Sequence, residues 1–206
     1  TPMNTTNLRR LLAGVAAGLV LAALIWVVTL ALRPQHHFAG LVKNPLVPAP
    51  DFSLTDETGA AFKLADLRGQ WVLLAFGYTT CPDVCPTTLA DLRLALQELG
   101  DDREKVQVLF VSVDPERDTA ERLRDYLPYF DPSFIGLTGP LPEIEAIASR
   151  FGVFFQKNTA NSAAQYLVDH TSAVLLVDAD GDLRLMFPYG TTGAQLASDT
   201  RLFIRS

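Results

Sequence analysis

The sequence has few cysteines and histidines and no excess of basic residues. Its 206 residues include two cysteines and three histidines, with 23 acidic against 17 basic side chains. Two cysteines cannot form the several disulfides of a small secreted scaffold, so a disulfide framework is excluded. A net charge of −6 argues against nucleic acid as a partner, because phosphate backbones bind to basic surfaces. The sequence also lacks internal repeats and low-complexity tracts.

The first part of the chain differs from the rest in charge and hydropathy. No acidic residue precedes Asp51, and 11–32 is a run of 22 residues without a charged side chain. Such a run is long enough for a membrane-spanning helix. Arg9 and Arg10 precede it, which predicts a cytoplasmic tail over 1–10 and a domain on the other side of the membrane. We therefore expect a single-pass protein of the cell inner membrane, with a proline-rich linker over 33–49 and a periplasmic domain.

Residues 50–206 predict one α/β domain. The apolar run Trp71 to Tyr78 predicts a buried strand, a helix follows up to Gly100, and 106–114 predicts a second buried strand. Strand, helix and strand in this order form a right-handed parallel unit. Two short strands around an Asp56 to Gly59 turn precede this unit. After it we predict helices over 118–127 and 141–153, a hairpin over 172–187 and a closing helix over 194–204. This order predicts a thioredoxin-like fold with an N-terminal β-hairpin extension and a helical insertion.

Cys81 and Cys85 lie in the loop between the first buried strand and its helix. A helix N-terminus at this place favours thiolate over thiol. The cysteines are four residues apart, and on a helix such positions share one face with Cα atoms about 6.2 Å apart, near the upper limit for a disulfide. The pair can therefore bind a metal or form a strained, reducible disulfide, and the sequence leaves both open.

His170 is the only histidine after position 37 and directly precedes a predicted strand. In a thioredoxin-type sheet the loop that enters this strand lies beside the cysteine loop, so we expect His170 to approach Cys81 and Cys85. Two thiolates and one imidazole suit Cu(I), whereas zinc normally takes a fourth ligand. In an oxidising compartment such a site needs an external thiol reductant to keep both sulfurs free.

Two acidic residues adjoin the predicted ligands. Asp169 could orient the imidazole of His170 as a hydrogen-bond acceptor, and Asp83 could offset the charge of a bound cation or contact a partner. The alternative for both is a solvated loop residue.

Four segments resemble the SCO/SenC family of membrane-anchored copper-delivery proteins. They are GYTTCPDVCPTTLADL, FVSVDPERDTAERLRDYL, FIGLTG and YLVDHTSAVLLVDADGDLR. The resemblance implies that Cys81, Cys85 and His170 bind copper and that the protein helps to build the copper A centre of cytochrome c oxidase. Its expected partners are the copper A subunit, a thiol reductant and another copper carrier. Asp114 to Asp118 match a family signature to which the sequence assigns no ligand role.

Two function classes follow. A copper metallochaperone needs both sulfurs and the imidazole, and we predict no catalytic residue for it. A thiol-disulfide oxidoreductase, which would keep the cysteines of the oxidase subunit reduced, needs Cys81 and Cys85 but not His170. A peroxidase of related fold is a weaker alternative, because fold alone does not confer an activity.

Overall fold

The computed structural model describes residues 5–31, 38–158 and 166–205, in two compact units, Thr1–His37 and Phe38–Ser206. The first unit contains helix α1 (Thr5–Ala31). Among the described residues, no helix combines the length and the apolar character needed to cross a membrane. The predicted span over 11–32 is therefore not supported. The predicted tail 1–10 and linker 33–49 lie partly outside the described residues.

The second unit is a mixed α/β domain. Its strands are β1 (Leu41–Pro48), β2 (Ser53–Asp56), β3 (Ala61–Lys63), β4 (Trp71–Gly77), β5 (Val106–Ser112), β6 (Ile135–Thr138), β7 (Phe155–Asn158), β8 (Leu167–His170), β9 (Ala173–Val177) and β10 (Asp182–Pro188). Its helices are α2 (Val84–Leu99), α3 (Ala120–Tyr126), α4 (Leu141–Arg150) and α5 (Gly193–Ile204), with short 3-10 helices at Leu64–Leu67, Gly100–Lys105 and Leu127–Tyr129. Eight strands form one sheet in the order β1-β10-β9-β4-β5-β6-β2-β3.

The centre of the sheet is the predicted parallel unit. Strands β4 and β5 pair in parallel from Trp71 opposite Val106 to Gly77 opposite Ser112, and α2 makes the crossover between them. Successive residues of β4 point to opposite faces, so Leu74 belongs to one core cluster and Leu73 to the other. Because both faces are covered, both strands are apolar almost throughout, as expected for buried parallel strands.

Several predicted local features are present in the structure. The N-terminal hairpin β2–β3 turns at Asp56, whose carboxylate accepts hydrogen bonds from the backbone of Thr58 and Ala60. Helix α3 begins after Thr119, whose hydroxyl accepts from the backbone N–H of Arg122. The hairpin β9–β10 and the closing helix α5 also lie where the sequence predicts them.

Two segments differ from the prediction. The segment predicted as a helical insertion also contains β6, which pairs in parallel with β5 and extends the sheet. Part of the predicted linker forms β1, which pairs antiparallel with β10 from Leu41 opposite Met186 to Pro48 opposite Asp182. Strand β1 lies at the edge of the sheet, where proline is tolerated because one side of the strand needs no N–H donor.

Strands β7 and β8 form a separate two-stranded sheet that the sequence analysis missed. They pair antiparallel, from Asn158 opposite Leu167 to Phe155 opposite His170. His170 is thus the last residue of β8, and β9 of the main sheet begins three residues later. This small sheet brings the histidine to the end of the main sheet where β4 runs into the cysteine loop.

Candidate metal centre

The cysteine loop connects the end of β4 to the start of α2. Cys85 lies in the first turn of α2 and is only 2% exposed, whereas Cys81 precedes the helix and is partly exposed. The backbone N–H of Cys85 points at Cys81 Sγ over 3.4 Å. The unpaired N–H groups at a helix N-terminus therefore face the more accessible sulfur.

The two thiols differ in acidity. Burial by itself raises the pKa of Cys81, but hydrogen bonds from the backbone N–H groups of Asp83 and Cys85 outweigh it and lower the pKa below the usual thiol value. Cys85 is deeper, and its burial raises its pKa far above that value. Cys81 is therefore the sulfur that ionises first, while Cys85 needs a cation beside it to become a thiolate.

The imidazole of His170 lies against the buried sulfur. Its Nε2 is 3.3 Å from Cys85 Sγ, and its Nδ1 is 3.3 Å from the carbonyl oxygen of Thr171. Because burial lowers the pKa of His170, the ring is neutral and carries one proton. Nδ1–H donates a hydrogen bond to the Thr171 carbonyl oxygen, which leaves the Nε2 lone pair facing Cys85 Sγ.

The structure brings the three predicted ligands together. Sγ of Cys81, Sγ of Cys85 and Nε2 of His170 all lie within 4.8 Å of one another. Cys81 and His170 border a cavity of about 260 Å³ that also touches Tyr78 and Val168, and Cys85 lies buried behind them. Two sulfurs and one neutral imidazole nitrogen form a soft donor set that fits copper, and the group contains no fourth His, Cys, Asp or Glu ligand among the described residues.

Neither acidic neighbour forms a hydrogen bond with the imidazole of His170 in this structure. Asp169 does not accept from the ring, because the Thr171 carbonyl lies at Nδ1 and the Asp169 carboxylate accepts from the side-chain amide of Asn158 at 3.3 Å. The orienting role of Asp169 has no hydrogen bond to the ring in this structure and stays a prediction, beside the alternative of a solvated loop residue. Asp83 is exposed at the rim of the cavity, where its predicted effect on a bound cation or a partner stays a prediction.

Tyr78 is a site residue that the sequence analysis missed. It follows β4 directly, and its ring packs edge-on against the His170 ring with centroids 6.0 Å apart. Its hydroxyl accepts from the backbone N–H of Val168 at 3.2 Å, which ties β8 to the cysteine loop. Only its position three residues before Cys81 at the end of a buried strand could have indicated this role.

Asp118 explains part of the signature without a ligand role. It is fully buried, and its carboxylate accepts from the N–H of Thr79 at 2.9 Å, the hydroxyl of Thr79 at 2.6 Å and the hydroxyl of Ser112 at 2.6 Å. Burial raises the pKa of Asp118. Asp118 thereby fixes the start of the cysteine loop to the end of β5.

Comparison with known proteins shows which family the chain matches. A SCO1/SenC family model matches residues 44–205. A SCO2-like protein of Rickettsia felis is 36% identical over 157 residues, which are 74% of this chain and 77% of that protein. The mitochondrial SCO1 homolog of Homo sapiens is 34% identical over 166 residues, which are 80% of this chain and 55% of that protein.

Solved structures share both the fold and the sequence pattern. The copper-bound ScoI of Bradyrhizobium japonicum superposes with a TM-score of 0.69 at 38% identity, covering 76% of this chain and 99% of that one. The family model spans most of the sequence, and the matched relatives are more than 30% identical to this chain over the aligned residues. This chain therefore belongs to the SCO1/SenC family.

Proposed function

We propose that this protein is a copper metallochaperone, which binds copper through Cys81, Cys85 and His170 and delivers it for assembly of the copper A centre of cytochrome c oxidase. The observation that carries the proposal is the convergence of two sulfurs and one imidazole nitrogen within 4.8 Å at a partly exposed site. The relative from Bradyrhizobium japonicum, whose structure has copper bound, supports the choice of metal.

The exposure of the site suits delivery as well as binding. Cys85 is buried, but Cys81 and His170 are only partly buried and border the open cavity. A ligand of an acceptor protein can therefore reach copper from the side of Cys81 and His170 and replace the ligands one at a time. We propose the copper A subunit as this acceptor and another copper carrier as the donor.

Reconstitution of the full chain with Cu(I) and Cu(II) tests the three-ligand site. We expect one copper ion per chain, with sulfur and nitrogen neighbours in a ratio of about 2:1 by X-ray absorption. His170→Ala should weaken binding strongly, whereas replacement of His36 and His37, the other two histidines, should not. If His170→Ala bound copper with wild-type affinity, the imidazole would not be a ligand, and the proposal would be contradicted.

The asymmetry of the two thiols favours thiol-disulfide exchange as a second function. An accessible Cys81 with a lowered pKa is suited to attack a disulfide, and the buried Cys85 four residues on is placed to resolve the mixed disulfide. We propose that metal-free protein keeps the oxidase cysteines reduced and is itself re-reduced by an external thiol donor. Insulin reduction unaffected by His170→Ala would support this function, and no turnover in the wild type would exclude it.

We also propose that the protein is attached to the membrane through residues 11–32, with the domain on the periplasmic side. The absence of charged side chains in this segment and the arginine pair before it support this arrangement. Membranes washed with alkaline carbonate should retain the full chain, and alkaline phosphatase fused after residue 206 should be active. Release by carbonate, or an inactive fusion, would contradict the arrangement.

A further inference from the structure

The position of His170 depends on a small sheet that is separate from the sheet carrying the cysteines. β8 pairs with β7, whereas the cysteine loop follows β4 of the eight-stranded sheet. Beyond the short connection from His170 to β9, contacts of side chains hold the small sheet beside the cysteine loop. A compact cluster of side chains around Arg117 makes such contacts.

Arg117 makes two contacts with Tyr166, the residue directly before β8, and a third with Asp114. Its Nε pairs with the carboxylate of Asp114, and its Nη1 donates to the carbonyl oxygen of Tyr166 at 3.1 Å. Its guanidinium lies flat on the Tyr166 ring, 3.7 Å from the centroid. The Tyr166 hydroxyl in turn donates to Asp114 at 2.7 Å, which closes a ring of three side chains.

The same guanidinium also faces the cysteine loop. It lies 5.6 Å from the centroid of Tyr78, the residue whose hydroxyl accepts from the Val168 N–H. Arg117 is thus placed between Tyr166, four residues before one ligand, and Tyr78, three residues before another. Its Nη2 is buried without a hydrogen-bond partner among the described residues.

A second ion pair connects the small sheet to the segment that contains Arg117. Lys157 of β7 pairs with Glu116 at 2.6 Å, and its ammonium lies 3.8 Å from the centroid of the Tyr166 ring. Tyr166 is therefore enclosed by cations on Arg117 and Lys157 and by a carboxylate at its hydroxyl. The segment from Asp114 to Arg117 has no predicted ligand role. Asp114 and Arg117 contact Tyr166 directly before β8, and Glu116 contacts Lys157 of β7.

We propose that Arg117, acting with Asp114 and Tyr166, is a positioning group that holds β8 against the cysteine loop and thereby determines whether His170 is a copper ligand. This inference rests on the proposed copper function. A guanidinium suits the role because it donates in two directions while its flat face stacks on an aromatic ring. A lysine would keep the charge but lose the stacked, two-directional geometry.

Arg117→Met and a matched control test the proposal. The control is Arg184→Met, because Arg184 pairs with Asp178 at nearly equal burial, with side chains 28% and 3% exposed against 26% and 4% for Arg117 and Asp114. Arg184 lies on β10, away from β8. Both variants lose one half-buried ion pair, but only Arg117→Met loses a contact to the His170-bearing sheet.

The readouts are chosen so that general destabilisation does not mimic the effect. With Cu(II) bound, Arg117→Met should lose most of the nitrogen coupling in the EPR spectrum, keep the sulfur-to-copper absorption and bind at least tenfold more weakly. In metal-free protein, the Val168 amide should exchange its hydrogen faster. The control should match wild type in each measurement. Arg117→Lys should recover little nitrogen coupling, and Tyr166→Phe, a milder change, should give a smaller effect of the same kind.

Wild-type nitrogen coupling and Val168 exchange in Arg117→Met would overturn the inference, and so would equal changes in Arg117→Met and Arg184→Met. If Arg117→Met does not fold, Tyr166→Phe decides in the same way. Failure of the proposed function looks different, because His170→Ala would then bind copper as the wild type does. If His170→Ala lost copper affinity as expected but Arg117→Met bound copper like the wild type, only the positioning role of Arg117 would be overturned.

Discussion

Gly77 lies directly behind the sulfur of Cys85, so one added methyl group tests how tightly the metal centre is packed. A Cβ atom on Gly77 would stand 2.9 Å from Cys85 Sγ and 2.8 Å from Cε2 of Phe110. Nonbonded atoms prefer separations of about 3.5–4.0 Å, so the sulfur and the ring would each have to move by about 0.6–1.2 Å. Cys85 and Phe110 are both only 2% exposed, and the surrounding core resists such a movement.

Gly77→Ala should therefore lower both stability and copper affinity. Overpacking of this kind costs about 1–3 kcal/mol in the free energy of unfolding, or about 2–12 °C in Tm for a domain of this size. Metal–ligand distances tolerate only about 0.2 Å, which is less than the expected sulfur shift. If about 1.4 kcal/mol is needed to return Sγ to its ligating position, copper affinity falls about tenfold.

Gly136→Ala is the matched control. A Cβ atom there would stand 2.7 Å from Leu127 Cδ1 and 2.8 Å from Leu123 Cβ, a comparable overlap that involves no copper ligand. Calorimetry should give similar losses of Tm for the two variants, and competition with a copper chelator should separate them. Equal copper affinities in both variants, or an unchanged Tm in Gly77→Ala, would refute the reasoning.

Three further predictions concern thiol reactivity, acid stability and helix capping. Iodoacetamide should modify Cys81 before Cys85 in reduced, metal-free protein, because Cys81 is more exposed and has the lower pKa; peptide mass spectrometry measures the order, and equal rates would contradict it. Burial alone would raise the pKa of Asp131, but hydrogen bonds from a nearby serine and pairing with Arg103 hold it below the usual range. The Asp131 carboxylate therefore stabilises the fold fully above the unfolded-state pKa near 4, and this effect is lost as pH falls through the lower folded-state pKa. Asp131→Asn should thus lower the free energy of unfolding in urea by about 1–3 kcal/mol at pH 7 and by less at pH 3. Thr192→Ala removes the hydroxyl of the capping box of α5 and should cost about 1 kcal/mol by the same measurement, with no change in copper binding.

The elements that the sequence predicted are those with a strong local signal. Strands β4 and β5 are continuous apolar runs, and α2 follows a cysteine loop and ends at a glycine, so these elements follow from composition and spacing alone. The approach of His170 to the cysteines followed from the topology of a thioredoxin-type sheet. Such inferences need no knowledge of individual side-chain contacts.

The elements that the sequence analysis missed lack such a signal. β7 has the sequence FQKN, in which three of four residues are exposed, and β1 contains two prolines. Both are stabilised by pairing rather than by their own pattern: β7 pairs with β8, the next strand, and β1 pairs with the distant β10. The contact between Arg117 and Tyr166 spans 49 residues, and neither residue type indicates its partner.

His170 and Cys85 are 85 residues apart along the chain, so an ion bound to both would also hold distant parts of the polypeptide together. Copper bound in this way would cross-link the two residues and close a long loop. The unfolded chain does not hold these ligands together, so copper would bind to the native state only. It would then stabilise that state by mass action, by about 2.7 kcal/mol when free copper is 100 times its Kd. The copper-bound protein should therefore have a higher Tm than the metal-free protein, and a molecule that unfolds should release its ion.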